Sequence, residues 1–438
     1  MIEYRNLRVA LLGAGNVGAE VASLLIAHRD ELAERIGAGL ELVGIAVRDV
    51  DAPRTTELPR ELFTTDAESL ILGSDIVIEL MGGLEPAREY ILQALNSGAD
   101  VITGNKALLA THGPELFEAA EQVGAQLYYE AAVAGAIPII RPLHDSLAGD
   151  QVRRILGIVN GTTNFILDRM HTTGVTLEEA LATATELGFA EADPTADVDG
   201  FDAAQKAAIL ASLAFHTVVP LESVHREGIT GISLGQVQAA TRAGYVIKLL
   251  AICERLVDAE GTDGVSARVY PALVPEDHPL AAVHGAKNAV FIEADAAGDV
   301  MFYGAGAGGR ETASAVLGDL VSAARRHVIG GPGIAESRHA NLPVLPMSSI
   351  TTRYQITLAV VDQPGVLAEI ANLFRDHGVS VETLVQSVAS DTEHPDPTAT
   401  LVIGTHEASE SSLAATVTAL AATSVVESVV SVLRVEGL

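Results

Sequence analysis

A short apolar run, Leu7-Arg8-Val9-Ala10-Leu11-Leu12, passes directly into Gly13-Ala14-Gly15-Asn16-Val17-Gly18, and this junction constrains the fold more than any other part of the chain. The run is β-prone. The glycines allow a tight turn that side chains would block. From Glu20 to Ile36 the apolar residues Val21, Leu24, Leu25 and Leu32 recur at helical spacing, which predicts one helix. A strand, a glycine turn and a helix N-terminus together make an anion site. The backbone can approach a pyrophosphate there, and free N–H groups and the helix dipole favour its charge. Taken alone, the hexapeptide also fits an ordinary glycine-rich βα turn, so the neighbouring sequence decides.

That context repeats the unit. Leu40 to Val47, Asp75 to Leu80, Asp100 to Thr103 and Gln126 to Tyr129 read as further strands, with helices predicted over 86–96 and 114–123. Several strands end in polar or glycine-bearing loops (Met81-Gly82-Gly83, Gly104-Asn105-Lys106, Glu130), as in a parallel sheet whose ligand lies at the carboxyl ends of its strands. Arg48 ends the second strand, where an acidic residue would select NAD; an arginine suits the 2′-phosphate of NADP, while Asp49 keeps the NAD reading open.

Charge narrows the partners. The 438 residues carry 27 Lys+Arg against 57 Asp+Glu, a net −30, which repels nucleic acid and anionic lipid. The near-apolar stretch Val9 to Ala27 mimics a signal peptide or span, but Asn16 and Glu20 interrupt it and the glycines explain it better. Neither export nor a membrane span is expected. The single cysteine, Cys253, forms no intrachain disulfide and fits a reducing, cytoplasmic setting.

Glu191 to Lys206 reads EADPTADVDGFDAAQK. An EF-hand loop fails here, because Lys206 falls where the bidentate glutamate belongs. A helix is predicted from Phe201 to Phe215, placing Asp202 and Lys206 four apart on one face. Two readings fit that spacing: a surface ion pair, or a lysine held in a cleft where its ammonium exchanges a proton with substrate. Asn160-Gly161-Thr162-Thr163-Asn164 reads as a polar turn entering a helix, and Gly304 to Gly309 as a second glycine loop.

GAGNVG (13–18), TGNKALLA (103–110), YEAAVAGAIPII (129–140), NGTTNFIL (160–167), ELGFAEADPTADVDGFDAAQK (186–206) and YGAGAGGRETASAV (303–316) occur in an order that resembles homoserine dehydrogenases. The resemblance implies interconversion of L-homoserine and L-aspartate 4-semialdehyde with NADP or NAD. It implies Lys206 as general acid/base, Glu191 and Asp202 as substrate-binding residues, and Lys106 at the cofactor–substrate junction. It implies cofactor contacts at Gly13, Gly15, Asn16, Val17, Gly18, Arg48, Lys106, Gly188 and Gly306. It also implies a monovalent cation, sodium, on Glu130 and the backbone carbonyls of Val133, Gly135 and Ile137.

A Gly/Pro-rich connector leads to alternating strand and helix patterns in the order βαββαβ, beginning at Tyr354 and including the turn Asp362-Gln363-Pro364-Gly365 and an acidic loop at 389–399. This end resembles an ACT domain, which implies an amino-acid effector, threonine, and pairing of copies into a homo-oligomer, dimer or tetramer. The expected fold class is α/β. A Rossmann-type dinucleotide-binding domain at 1–130 precedes an α+β catalytic and dimerisation domain at 131–330, whose C-terminal part is expected to complete the Rossmann unit. A linker at 331–352 and a ferredoxin-like ACT domain at 353–438 follow. No kinase domain is expected ahead of the first strand. Two rival readings are a related dehydrogenase acting on another short amino-acid aldehyde or alcohol, and an amino-acid sensor with a degenerate dehydrogenase body.

Overall fold

A computed structural model describes residues 6–54, 56–330, 336, 338–388 and 398–437. In chain order the elements are β1 (Leu7–Leu12), α1 (Asn16–Ala27), α2 (Arg29–Ile36), β2 (Leu40–Ala46), β3 (Phe63–Thr64), α3 (Ala67–Leu72), β4 (Ile76–Glu79), α4 (Ala87–Asn96), β5 (Asp100–Thr103), α5 (Lys106–Val123), β6 (Leu127–Tyr128) and β7 (Val152–Ile158). Next come α6 (Gly161–Thr173), α7 (Leu177–Glu186), α8 (Thr195–Val198), α9 (Phe201–Ala214), β8 (His225–Arg226), α10 (Leu234–Arg242), β9 (Tyr245–Val257), β10 (Asp263–Pro275), β11 (Lys287–Ala294), β12 (Gly298–Ala305) and α11 (Gly309–Ile329). The last are β13 (Thr351–Val361), α12 (Val366–Asp376), β14 (Val381–Val388), β15 (Thr398–Thr405), β16 (Ala408–Ser409), α13 (Glu410–Ala422) and β17 (Val426–Val435).

Residues group into two compact units. The first comprises Met1–Gly161, Asp202–Val224 and Ala286–Leu342. Its six-stranded sheet has the order β3-β2-β1-β4-β5-β6, every pair parallel, the strand order of a doubly wound dinucleotide fold. Alternate residues of β1 feed opposite faces: Val9 and Leu11 join a core with α1, while Ala10 and Leu12 join one with α3, α4 and α5. Burial on both faces explains why these strands read as continuous apolar runs. Although distant in sequence, α11 places Ala313, Val316, Leu320 and Ala323 in the first of these cores. An antiparallel ribbon, β12-β11-β7, also belongs to this unit.

The second unit comprises Thr162–Phe201, His225–Gly285 and Pro343–Leu438. A long antiparallel hairpin, β9 with β10, leads into the C-terminal sheet because β17 pairs with β10 in parallel at Ala272↔Arg434 and Leu273↔Val435. The C-terminal strands run β17-β13-β15-β14, all antiparallel. Helices α12 and α13 pack against them through Ile370, Phe374, Leu413 and Leu420.

Local readings differ at three places. The single helix expected over Glu20–Ile36 is two, because His28 leaves helical geometry (φ −108°, ψ 20°). The helix expected to begin at Pro114 begins eight residues earlier: Asn105 caps it by accepting Leu108 N–H at 3.2 Å, and Pro114 sits inside. The connector is docked, since Val344 bridges Val265 and the Pro343 carbonyl accepts the Val265 N–H at 2.9 Å. Most of the acidic loop at 389–399 lies outside the described residues.

Candidate active site

In the first glycine loop each glycine has a separate role. Gly13 takes φ +99°, and a β-carbon there would lie 2.7 Å from the Leu80 carbonyl at the end of β4. It therefore sits where the sheet order reverses, between β1 and β4. Gly15 is open, with no atom within 4 Å of a built β-carbon, and it is the N-cap of α1. A ligand can approach its backbone there, and the first N–H groups of α1 lack intrahelical acceptors. Gly18 presses on the Gly13 carbonyl. Asn16 and Val17 form the first helical positions. Arg48, just past β2, is exposed and makes no hydrogen bond or ion pair among the described residues. The Asp49 carboxylate instead accepts the Asp51 N–H at 2.9 Å.

Helix α9 supplies the chemical cluster. Its apolar residues Ala207, Ile209, Leu210 and Leu213 are buried, and so are Asp202 and Lys206. Lys206 Nζ donates to Asp202 Oδ2 at 2.7 Å and to the Val159 carbonyl at 2.6 Å. An ammonium has three donors, so one remains. Asn160 Nδ2 donates to the same Asp202 oxygen at 2.9 Å, and Lys106 Nζ lies 3.2 Å from the other. Burial pushes the Asp202 carboxyl up, but Lys206 and Lys106 outweigh it and hold it at about 2. The surface ion-pair reading is thereby excluded: Lys206 is 8% exposed. Lys106 is the first residue of α5, directly after the cap Asn105, whose amide donates to Gly83 at 2.6 Å.

The second glycine loop meets two other motifs. A β-carbon on Gly135 (φ +60°) would strike Gly306, and one on Gly309 would lie 3.1 Å from the Asn16 carbonyl. Ala136 N–H donates to Ala305 at 3.1 Å. Beside them, the buried Glu130 carboxylate accepts four bonds: Ile139 N–H at 2.6 Å, Ile140 N–H at 2.8 Å, Arg141 N–H at 3.0 Å and Arg141 Nε at 2.9 Å. Asp319 accepts the Glu130 N–H at 2.9 Å; burial raises its carboxyl to about 7, with Arg141 opposing and Glu130 adding. Gly188 (φ +76°) and Glu191 are exposed in the loop after α7, in the second unit. Sequence reasoning missed the roles of Asn160, Val159, Asp319 and Arg141. Asn160 lay in a motif without an assigned role, and a carbonyl donates no side-chain signal.

A doubly wound sheet with an open glycine loop at its switch point, a buried Lys–Asp pair and a C-terminal βαββαβ unit define a nicotinamide-dependent oxidoreductase with an appended ACT domain. Family models for the homoserine dehydrogenase NAD-binding domain, homoserine dehydrogenase and the ACT domain match residues 13–130, 138–321 and 354–424. The chain is 54% identical to a homoserine dehydrogenase of Corynebacterium glutamicum over 98% of its length and 95% of that protein's. A solved homoserine dehydrogenase from Thiobacillus denitrificans superposes with a TM-score of 0.90 at 37% identity, covering 99% of each chain. A hyperthermophilic archaeal homoserine dehydrogenase solved with NADPH matches 76% of this chain and all of its own, with a TM-score of 0.61 at 27% identity. The chain belongs to the homoserine dehydrogenase family and is an NAD(P)-dependent oxidoreductase. The reading as a sensor with a degenerate dehydrogenase body is not favoured. Among the described residues no helix is long and apolar enough to cross a membrane.

Proposed function

We propose that Lys206 is the general acid–base in the interconversion of L-homoserine and L-aspartate 4-semialdehyde. The observation that carries this reading is an ammonium with two donors fixed on Asp202 and Val159 and a third left for substrate. The nicotinamide supplies or accepts the hydride; the protein orients the reactants and manages the proton. Aldehyde reduction builds charge on oxygen, and Lys206 neutralises it by giving up a proton. Alcohol oxidation returns the proton to a neutral Lys206. Asp202 and Asn160 aim the lysine, and Asp202 with Glu191 binds the substrate's polar groups. Lys106, facing Asp202 at 3.2 Å, adds positive charge beside the reacting oxygen.

The preferred cofactor is NADP, supported by Arg48, which is exposed and without a hydrogen bond or ion pair among the described residues, and by the engaged Asp49. Gly13, Gly15, Asn16, Val17 and Gly18 would hold the pyrophosphate, and the family resemblance assigns Gly188 and Gly306 as further cofactor contacts. The fit to a sodium ion rests on the buried loop at 133–137. Among the described residues the carbonyls of Val133, Gly135 and Ile137 accept no hydrogen bond, and no cluster of three His, Cys, Asp or Glu has metal-holding geometry. With its carboxylate saturated by four donors, Glu130 would contribute its main-chain carbonyl. These ligands suit a hard, singly charged cation.

The ACT domain takes threonine as effector. A cavity of about 320 Å³ at the turn Asp362-Gln363-Pro364-Gly365, lined also by Gln386 and Leu401, supports this reading. Exposed Leu384 and Val385 on β14 support pairing of copies into a dimer or tetramer. The buried lone Cys253 accords with a reducing cytoplasm. NADPH- and NADH-dependent reduction of aspartate 4-semialdehyde, with and without threonine, tests the whole reading. Full-length enzyme should turn over and respond to threonine. A form ending near residue 350 should still catalyse the reaction, at a lowered kcat, and lose the response; continued inhibition would refute the effector assignment.

A further inference from the structure

Helix α9 carries Asp202 and Lys206, and its first residue is Phe201. What fixes the start of this helix is a feature of the second unit. The Arg226 guanidinium lies 3.5 Å from the centre of the Phe201 ring and donates a hydrogen bond to the Asp199 carbonyl. The flanking backbone is equally tight. Ile229 N–H donates to the Val198 carbonyl at 2.7 Å, and a β-carbon on Gly228 would collide with Val198 and Asp199. Gly200 takes φ +80°, and a β-carbon there would meet the Arg226 side chain at 3.3 Å. The turn 198–201 is thus clamped from one side by Arg226 to Ile229.

This clamp is mounted on β10. His225 and Arg226 pair with Arg268 and Val269, and Glu227 N–H donates to the Val269 carbonyl at 2.7 Å. Three residues further along the same edge of β10, Ala272 and Leu273 pair with Arg434 and Val435 of the ACT domain. Side chains bridge the two attachments. Arg434 donates to Glu227 at 2.9 Å and to Glu410 at 2.6 Å, with its guanidinium 4.5 Å from the Tyr270 ring. Tyr270 OH donates to Glu436 and accepts from Arg268 at 3.1 Å. Adjacent residues Arg226 and Glu227 therefore face different ways: one holds the helix start, the other holds the ACT domain.

We propose that Arg226 is a positioning residue for the helix bearing Asp202 and Lys206, and that Glu227 and Arg434 tie that position to the ACT domain. The proposal rests on the reading of Lys206 as acid–base. A planar guanidinium can stack on a ring and donate in its own plane at once, which an ammonium cannot. A displaced helix start moves Lys206 relative to substrate, and misplacements of this kind cost up to about 10²-fold in turnover.

The test uses the full-length enzyme. Arg226→Gln should lower kcat by about 10- to 100-fold with the KM for NADPH little changed. It should also shift the pH profile of kcat, with Arg226→Lys recovering part of the loss. The link is tested by a double-variant cycle with Arg434→Lys, or Tyr270→Phe if that variant is insoluble. Effects on kcat should be less than additive, because either change releases the same joint. Wild-type kcat and pH profile in Arg226→Gln, beside a disabled Lys206→Ala, would overturn the proposal alone. Both variants being active would overturn the acid–base reading with it. Additive effects in that cycle would overturn the tie to the ACT domain.

Discussion

Among the described residues two lysines are buried, and they are buried differently. Lys206 is 8% exposed and has a carboxylate partner in Asp202 at 2.7 Å. Lys248, on β9, is 2% exposed, and among the described residues its acceptors are neutral: Asn164 Oδ1 at 3.0 Å and the Val283 carbonyl at 2.6 Å. Burial pushes Lys248 down to about 8, with the charge of Asp168 opposing it. Burial by itself therefore does not mark a catalytic lysine. Lys206 has a carboxylate against its ammonium, while amide and carbonyl oxygens alone tether Lys248, where a buried charge is costly.

The comparison breaks first at Lys206. Lys206→Ala should lower kcat by about 10² or more with cofactor binding intact, checked by steady-state kinetics beside NADPH titration; unchanged turnover would refute the contrast. Lys248 should act through stability. Its folded pKa lies below its unfolded one, so between pH 8 and 10 the unfolded chain binds more protons and stability rises with pH. Denaturant titrations should show wild type gaining about 2 kcal/mol on Lys248→Met across that window; parallel curves would refute the depressed ammonium.

Asp202 should show the opposite window. Its folded carboxyl is held at about 2, below the unfolded value, so its contribution is present above pH 4 and is lost as pH falls toward 2. The stability advantage over Asp202→Asn should shrink by about 2 kcal/mol over that range, read from urea midpoints. A constant gap would mean that the lysines do not hold the charge. The smallest expected effect is at Arg48. Arg48→Ala should raise the KM for NADPH by about tenfold and leave that for NADH unchanged, the worth of one charge-assisted contact. An equal rise for both cofactors would remove Arg48 from the 2′-phosphate.

Much of the fold was legible from local pattern. Strand β5 coincides with the stretch read from sequence, Asp100–Thr103, because a short run there ends in a glycine-bearing loop. Helix α5 was read short because Pro114 suggests a start, while the stronger cue, the capping Asn105, lay in a stretch read as a strand-end loop. In the candidate site, spacing put Asp202 and Lys206 on one face but left their burial open. The partners that decide it, Asn160 and Lys106, are 42 and 96 residues from Asp202 along the chain.

The sequence by itself determined the nucleotide-binding turn, the i,i+4 pair and the order of the C-terminal strands and helices. These depend on glycine conformational freedom, helical pitch and the alternation of apolar residues, all of them local. Tertiary structure alone decided that the Lys206–Asp202 pair is buried with Asn160 against it, while Lys248 is buried against Asn164 and the Val283 carbonyl. It also decided that Gly135 meets Gly306 and that β17 and His225–Arg226 pair with the same edge of β10. Those outcomes are set by which distant groups share a low-dielectric space or a hydrogen-bonding edge, and no short-range pattern in a chain encodes that proximity.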